Sequence, residues 1–425
     1  VTRKEWSLLA IVILLALAFF VSNAHLELAS DDLQWLRGEI PRDTDRYRVI
    51  PRLTMAAIGA ACGENAVPAL ATAFLFHAAN GLLLYALARR LLRSQTAATI
   101  ATAVLLINPV TLNTLTWISC LSYVQGVTAA LVALVAFWRA MEARGRARLA
   151  WGAAALAAYS AALFCSHEVL FLPVAVAALG WFRREWRAGV ACFILGMAIG
   201  GTVNATAYQF GEYGIEAGGL ASPGFVAAYL SSALAAGPVL GVAYVLSFVT
   251  KPAPIVVAGL SGTARWAVAA GSVLAGVLLY RRGRDWRLAA CLAVILAAAV
   301  APWIIRLYLT PANVHYDLAY LAWGRVLYWP FAVVALGLGM VGERIARAAR
   351  GRWALAALGL LAYANALRIY EPADFQAMAL VQSRGAPAPA PWLPFSGPQP
   401  AWPLALAVAL AVAFWLALRT ARARG

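Results

Sequence analysis

Two adjacent carboxylates, Asp31 and Asp32, stand in the run SDDLQWLRGEI shortly after the first long apolar stretch of the chain. Ionised side by side they repel, so one holds its proton longer than its neighbour, and such a pair can divide the work of general base and charge partner. The same residues also read as a cap, with Ser30 and Asp31 closing the N-terminus of a short amphipathic segment, Asp32 to Arg37. Arg42, Arg46, Arg48 and Arg52 follow, interleaved with Asp43, Asp45 and Tyr47. A guanidinium at a lipid-water boundary grips phosphate through two parallel hydrogen bonds, which suits a lipid-phosphate ligand. Local ion pairs in a solvated loop are the alternative.

His77 and Asn80, in FLFHAANGLLLY, lie one helical turn apart within an apolar run. Polar side chains at that depth either bond a neighbouring helix or line a substrate cavity. His167 and Glu168 fall between two apolar runs with almost no loop, so they face water or a polar cavity at a tight turn. Trp117, Tyr123, Tyr316, Tyr320, Trp323, Tyr328 and Trp329 gather at the predicted ends of apolar runs. There aromatic rings anchor to the membrane interface, and they also stack on sugars.

The elements that must position these groups are membrane helices. Across 425 residues the chain is 63% hydrophobic and 12% charged, a composition that no water-soluble surface accommodates. The mean hydropathy is +0.76. A span needs about 20 apolar residues, and the pattern predicts an all-α bundle of about 12 spans. They are placed at 6–23, 66–88, 97–117, 121–138, 149–165, 169–182, 188–208, 264–280, 288–305, 326–342, 353–367 and 402–418. Trp6 to Asn23 is expected to be an uncleaved anchor, although Ser22-Asn23-Ala24 offers a small-residue cleavage site. Phe225 to Val249 is also long and apolar, but one crossing there would move the Arg281 to Arg287 cluster to the other side. It is therefore expected to be re-entrant, interfacial or paired.

Charge sets the orientation. The net charge is +16, from 34 basic and 18 acidic residues, and the basic residues form short clusters between apolar runs. With the N-terminus inside, the segments at 3–4, 89–93, 139–148, 183–187, 281–287, 344–352 and 419–424 all fall on the cytosolic side and hold most of them. That placement argues for topology and against nucleic acid as a partner. Both termini are predicted to be cytosolic. The chain divides into 1–185, with its first outer loop at 25–52, and 186–425, with outer loops at 209–263, 306–325 and 368–400. The five cysteines have no metal-ligand or CxxC spacing and read as small buried side chains. Asn204-Ala-Thr206 matches a glycosylation acceptor but lies inside a predicted span. No Walker loop, GxGxxG, HExxH or GxSxG occupies a usable position, which excludes a self-contained ATP-driven pump.

In chain order, Asp31-Asp32, Arg48 with Pro51, His77-Ala-Ala-Asn80 ending in Arg89-Arg90, Ile107-Asn108-Pro109 and Thr116-Trp117-Ile118 form a pattern over residues 6 to 185. It resembles the integral-membrane GT-C glycosyltransferases, nearest the protein O-mannosyltransferase-like and TMTC-like subgroup. Ser166-His167-Glu168 with Pro173 falls where such proteins carry a basic-acidic pair before a proline. Departures are visible: Val49 and Ile50 separate Arg from Pro, Leu84 stands where a second His is common, and His167 replaces a Lys.

The resemblance implies inverting transfer of a sugar from a polyprenyl-phosphate carrier to a protein, lipid or glycan acceptor, on the outer face of a bacterial plasma (inner) membrane. A first-loop carboxylate, Asp31 or Asp32, would be the base, and the leaving phosphate would be stabilised by arginine or by a divalent metal. Arg48, Arg52, His77, Asn80, Trp117, His167 and Glu168 would contact substrate. A transporter or lipid flippase is the competing class, and a non-catalytic scaffold on an enzyme-like fold the third. Transporters place ionisable residues near the midplane and carry internal repeats. Here His77 is the main midplane exception, and the two halves show no repeat.

Overall fold

The computed structural model describes residues 3–23, 32–39, 48–108, 111, 114–115, 118–203, 223–246, 262–281, 286–309, 328–348, 351–357 and 359. Among these residues the regular structure is all helical. The first six helices are α1 (Arg3–Asn23), α2 (Asp32–Arg37), α3 (Val49–Cys62), α4 (Ala66–Leu92), α5 (Gln95–Ile107) and α6 (Leu121–Glu142). Then come α7 (Gly145–Leu163), α8 (Leu172–Phe182), α9 (Trp186–Val203), α10 (Pro223–Leu246), α11 (Gly262–Arg281), α12 (Trp286–Leu309) and α13 (Tyr328–Ala346). Two 3₁₀ turns, Ile118–Cys120 and His167–Val169, lead into α6 and towards α8. Four helices, α4, α6, α9 and α13, are each long and apolar enough to cross a membrane alone. Leu75, Ile194 and Leu274 lie more than half exposed on helix flanks, as lipid contact requires. The chain is an integral membrane protein. The predicted spans at 353–367 and 402–418 lie partly or wholly outside the described residues.

Three local differences from the predicted elements have clear causes. The helix placed at 97–117 ends at Ile107, because Pro109 disfavours helical backbone at Asn108, which is extended at φ −71° and ψ 131°. Thr111 Oγ1 donates to the Leu105 and Asn108 carbonyls at 2.6 and 2.9 Å and satisfies the freed end. Second, Val49–Cys62 is a helix where a loop was expected up to Arg52. Pro51 sits in its first turn, where a missing N–H costs nothing, and Pro51 and Met55 bury one face. Third, α10 is one continuous helix of 24 residues packed on α11, α12 and α13, so of the re-entrant, interfacial and paired forms expected there the re-entrant and paired ones do not occur.

α6 is the axis of the bundle. It packs against α3, α4, α7, α8 and α13, and its buried face is lined with small and aliphatic side chains. α13 approaches α5 through glycines: a Cβ at Gly339 would meet Ala101 Cβ at 2.9 Å, and one at Gly342 would meet Ile100 at 2.8 Å. In lipid, such close backbone approach supplies dispersion contact where the hydrophobic effect between helices is weak.

Arginines from three of the basic clusters converge on one end of the bundle. Arg93 at the end of α4, Arg183 and Arg184 at the end of α8, and Arg287 at the start of α12 line one cavity. Arg183 stacks on Trp138 of the last turn of α6 at 5.0 Å, and Arg148 of α7 pairs with Glu185 at 2.9 Å. Arg287 therefore reaches the same end as Arg93, Arg183 and Arg184. The starts of α4, α6 and α8 lie at the opposite end.

Candidate functional site

At that opposite end α2 lies across α3. Gly59 of α3 leaves room for the Leu36 carbonyl, which a Cβ would strike. The Arg37 guanidinium binds Glu64 Oε1 through Nε at 2.7 Å and a terminal nitrogen at 2.6 Å, tying α2 to the α3–α4 turn. Both partners are about half exposed, so the pair orients α2 more than it stabilises it. Asp32 is the first residue of α2, in the segment Asp32–Arg37 that the sequence predicts. Asp31 and the Asp32 side chain lie outside the described residues, as does Trp117.

Trp35, one turn beyond Asp32, is buried. Its ring faces Arg48, the residue that opens α3. The Arg48 guanidinium carbon lies 5.9 Å from the Trp35 ring and 5.5 Å from the Tyr123 ring, with Nη2 at 3.5 Å from the Tyr123 hydroxyl. Aromatic faces on two sides attract the cation and hold its fork in one orientation. Arg52 follows one turn later on α3, half-buried. Arg48 is thus positioned by α2, α3 and α6 together.

The turn between α7 and α8 forms the adjoining wall. Ile50 N–H donates to the Phe164 carbonyl at 3.2 Å, joining the start of α3 directly to it. Ser166 caps the 3₁₀ turn, its Oγ accepting from the Glu168 N–H at 3.3 Å. Gly126 of α6 admits this turn, since a Cβ there would stand 3.0 Å from Ser166 Cβ. Glu168 is almost fully buried and His167 is half-buried, with α6, α7 and α12 packed around them. A carboxylate at that depth is costly unless a polar network receives it, so its position marks a functional or network role. Gln125 Nε2 donates to Thr54 Oγ1 at 3.1 Å and ties α6 to α3 beside the same region.

His77 and Asn80 are placed elsewhere. Both are fully buried in α4. His77 Nδ1 meets the Tyr328 hydroxyl at 2.5 Å and Nε2 meets the Leu106 carbonyl at 3.1 Å. Asn80 Nδ2 donates to the Val124 carbonyl at 3.0 Å and to the Tyr328 hydroxyl at 3.2 Å. One cluster thus joins α4, α5, α6 and α13 at their core. Tyr328→Phe removes the hydroxyl that both residues share, and we expect a loss of about 1–2 kcal/mol, between the usual cost of an orphaned buried group and the smaller values measured within membranes. Equilibrium unfolding in detergent checks this.

The structure therefore groups Arg48, Arg52, His167 and Glu168 with the helix that Asp32 begins, and sets His77 and Asn80 apart. Trp35, Tyr123, Thr54 and Gln125 join the group without having been singled out as site residues. Tyr123 and Tyr328, expected to anchor at the interface or to stack on sugars, are both buried, one against Arg48 and the other against His77. Their positions at span ends are what the sequence shows; that each faces a polar group follows only from the packing of α3 and α4. Among the described residues, no three His, Cys, Asp or Glu side chains gather to hold a metal ion. The arrangement offers a braced guanidinium for an anion and a carboxylate-bearing segment beside it.

No protein-family model matches the chain, and neither does any curated protein. Among solved structures, the crystal structure of ArnT from Cupriavidus metallidurans bound to undecaprenyl phosphate matches at 13% identity, covering 99% of this chain and 77% of that one, with a TM-score of 0.45. No function follows from a likeness at that level.

Proposed function

We propose that the end of the bundle formed by α2, the start of α3 and the 164–169 turn is the active site of a membrane glycosyltransferase. It takes a sugar from a polyprenyl-phosphate donor and passes it, with inversion, to an acceptor hydroxyl on the outer face of the membrane. The observation that carries this reading is the placement of Arg48, held between Tyr123 and Trp35, the latter one turn beyond Asp32 on α2. In the reaction, the acceptor oxygen attacks the anomeric carbon, the bond from that carbon to the phosphate oxygen breaks, and polyprenyl phosphate leaves with the electron pair. Asp31 or Asp32 takes the hydroxyl proton. Arg48, with Arg52 beside it, neutralises the charge that grows on the phosphate. Trp117, His167 and Glu168 contact the substrates, and His77 and Asn80 act at one remove by holding α4 against α13.

The accompanying topology has about twelve crossings, both termini cytosolic and the site facing away from the cytosol of a bacterial inner membrane. The convergence of Arg93, Arg183, Arg184 and Arg287 on the far end supports this orientation. The transporter reading needs a polar site open near the midplane. Against it, His77 and Asn80 are sealed and hydrogen-bonded within the helix core. Purified protein in liposomes, given a panel of labelled polyprenyl-phosphate sugars and an acceptor extract, separates the two. Released polyprenyl phosphate supports transfer; intact donors with flux across the bilayer reject it.

A further inference from the structure

We infer that the basic end of the bundle carries a built site for the headgroup of an anionic membrane phospholipid, separate from the proposed active site. The cavity there has a volume of about 500 Å³ and is walled by three chain turns distant in sequence. Arg93, Arg183, Arg184 and Arg287 line it, above an apolar floor that includes Leu92, Phe182 and Leu288. Cations over an apolar floor match an amphiphile carrying a phosphate. Because α4, whose end forms one wall, is long and apolar enough to cross a membrane, the cavity opens at headgroup depth, where lipid and not free phosphate is concentrated.

Topology alone explains why arginines are found on this face. It does not explain their arrangement. Among the described residues none of the four has a carboxylate partner, although Arg148 and Glu185 pair close by. Four like charges gathered around one cavity repel each other, and an anion relieves that repulsion. Two of them are braced by rings: Arg183 on Trp138 at 5.0 Å, and Arg287 between Trp181 and Trp286 at 5.7 Å from each. The other two, Arg93 at φ 52° and Arg184 at φ 63°, are the only non-glycine residues with left-handed backbone among those described. Each ends a helix where glycine or asparagine would sit without strain. Strained backbone retained at two walls of one cavity, both times to present an arginine, is the pattern of a ligand site.

The test uses the full chain purified in a neutral detergent and titrated with phosphatidylglycerol, phosphatidylcholine or inorganic phosphate. Thermal unfolding midpoint and lipid retention in native mass spectrometry are the readouts. Phosphatidylglycerol should raise the midpoint and stay bound, and the other two should do neither. Arg93→Gln with Arg287→Gln should weaken the apparent affinity on the order of 10- to 30-fold, from two lost headgroup charges. Arg144→Gln with Arg146→Gln removes equal charge from exposed positions at the same end and should leave the response intact. Equal loss in both pairs, an equal response to phosphatidylcholine, or a response to phosphate alone would overturn the proposal. Should the cavity variant fail to fold, photoreactive phosphatidylglycerol on the unaltered chain decides: adducts at 91–93, 182–184 and 286–288 uphold the site, and adducts spread over the helix flanks refute it.

Discussion

Replacing the proposed catalytic carboxylate of the acidic pair should lower sugar transfer by about 10²- to 10⁴-fold, the usual cost of losing a general base. Asp31→Asn and Asp32→Asn are made singly, because an adjacent pair need not share the work equally: one carboxylate takes the proton while the other stays ionised. The larger loss identifies the base. Stability should be nearly unchanged in both, since α2 is held by Trp35 in the core, by Gly59 beneath Leu36 and by the Arg37–Glu64 pair, none of which involves the two aspartates. Initial transfer rates and unfolding midpoints, measured on the same preparations, check both halves. Full activity in both variants removes the first loop from the mechanism.

The second large effect is at Arg48. A phosphate held by a guanidinium fork receives two charge-assisted hydrogen bonds, each worth about 1.5–3 kcal/mol. Arg48→Gln keeps most of the stem between Trp35 and Tyr123 but loses the charge and the fork, so donor affinity should fall on the order of 100-fold or more. Arg48→Lys keeps the charge and should fall within about tenfold of the unaltered protein. The effect belongs in donor KM and Kd, with kcat for bound donor changing less. Equal affinity in all three proteins would mean that Arg48 serves only to brace α2 and α6.

Much of this arrangement is legible in the sequence, in proportion to how directly each feature obeys a one-dimensional rule. The basic clusters are such a case: the positive-inside rule groups Arg93, Arg183, Arg184 and Arg287 before any coordinates exist, and they meet at one end. The segment Asp32–Arg37 is another, since a capping pattern predicts it with its observed bounds. α3 escaped because its charged first turn continues the arginine-rich loop, and Pro51 reads as a break unless it is recognised as a first-turn proline. Aromatic residues are the harder case. Tyr123 and Tyr328 lie near the ends of apolar runs, where interface anchoring is the common use. Which ring turns inward to meet Arg48 or His77 depends on contacts between residues 75 and 251 positions apart. Periodicity within one helix carries no information about such partners. The same holds for His77 and Asn80: their depth is plain from the sequence, but the closure of their cluster by Leu106, Val124 and Tyr328 is a property of four packed helices.

The central claim is that donor phosphate binds where α2, α3 and the 164–169 turn meet. Photocrosslinking with a polyprenyl-phosphate sugar that carries its reactive group near the phosphate, followed by peptide mapping, addresses it directly. The account predicts adducts within residues 32–55 and 164–169, lost on addition of excess unlabelled donor. Adducts confined to the cavity around Arg93 and Arg287, or displaceable labelling at the His77 cluster, would contradict it.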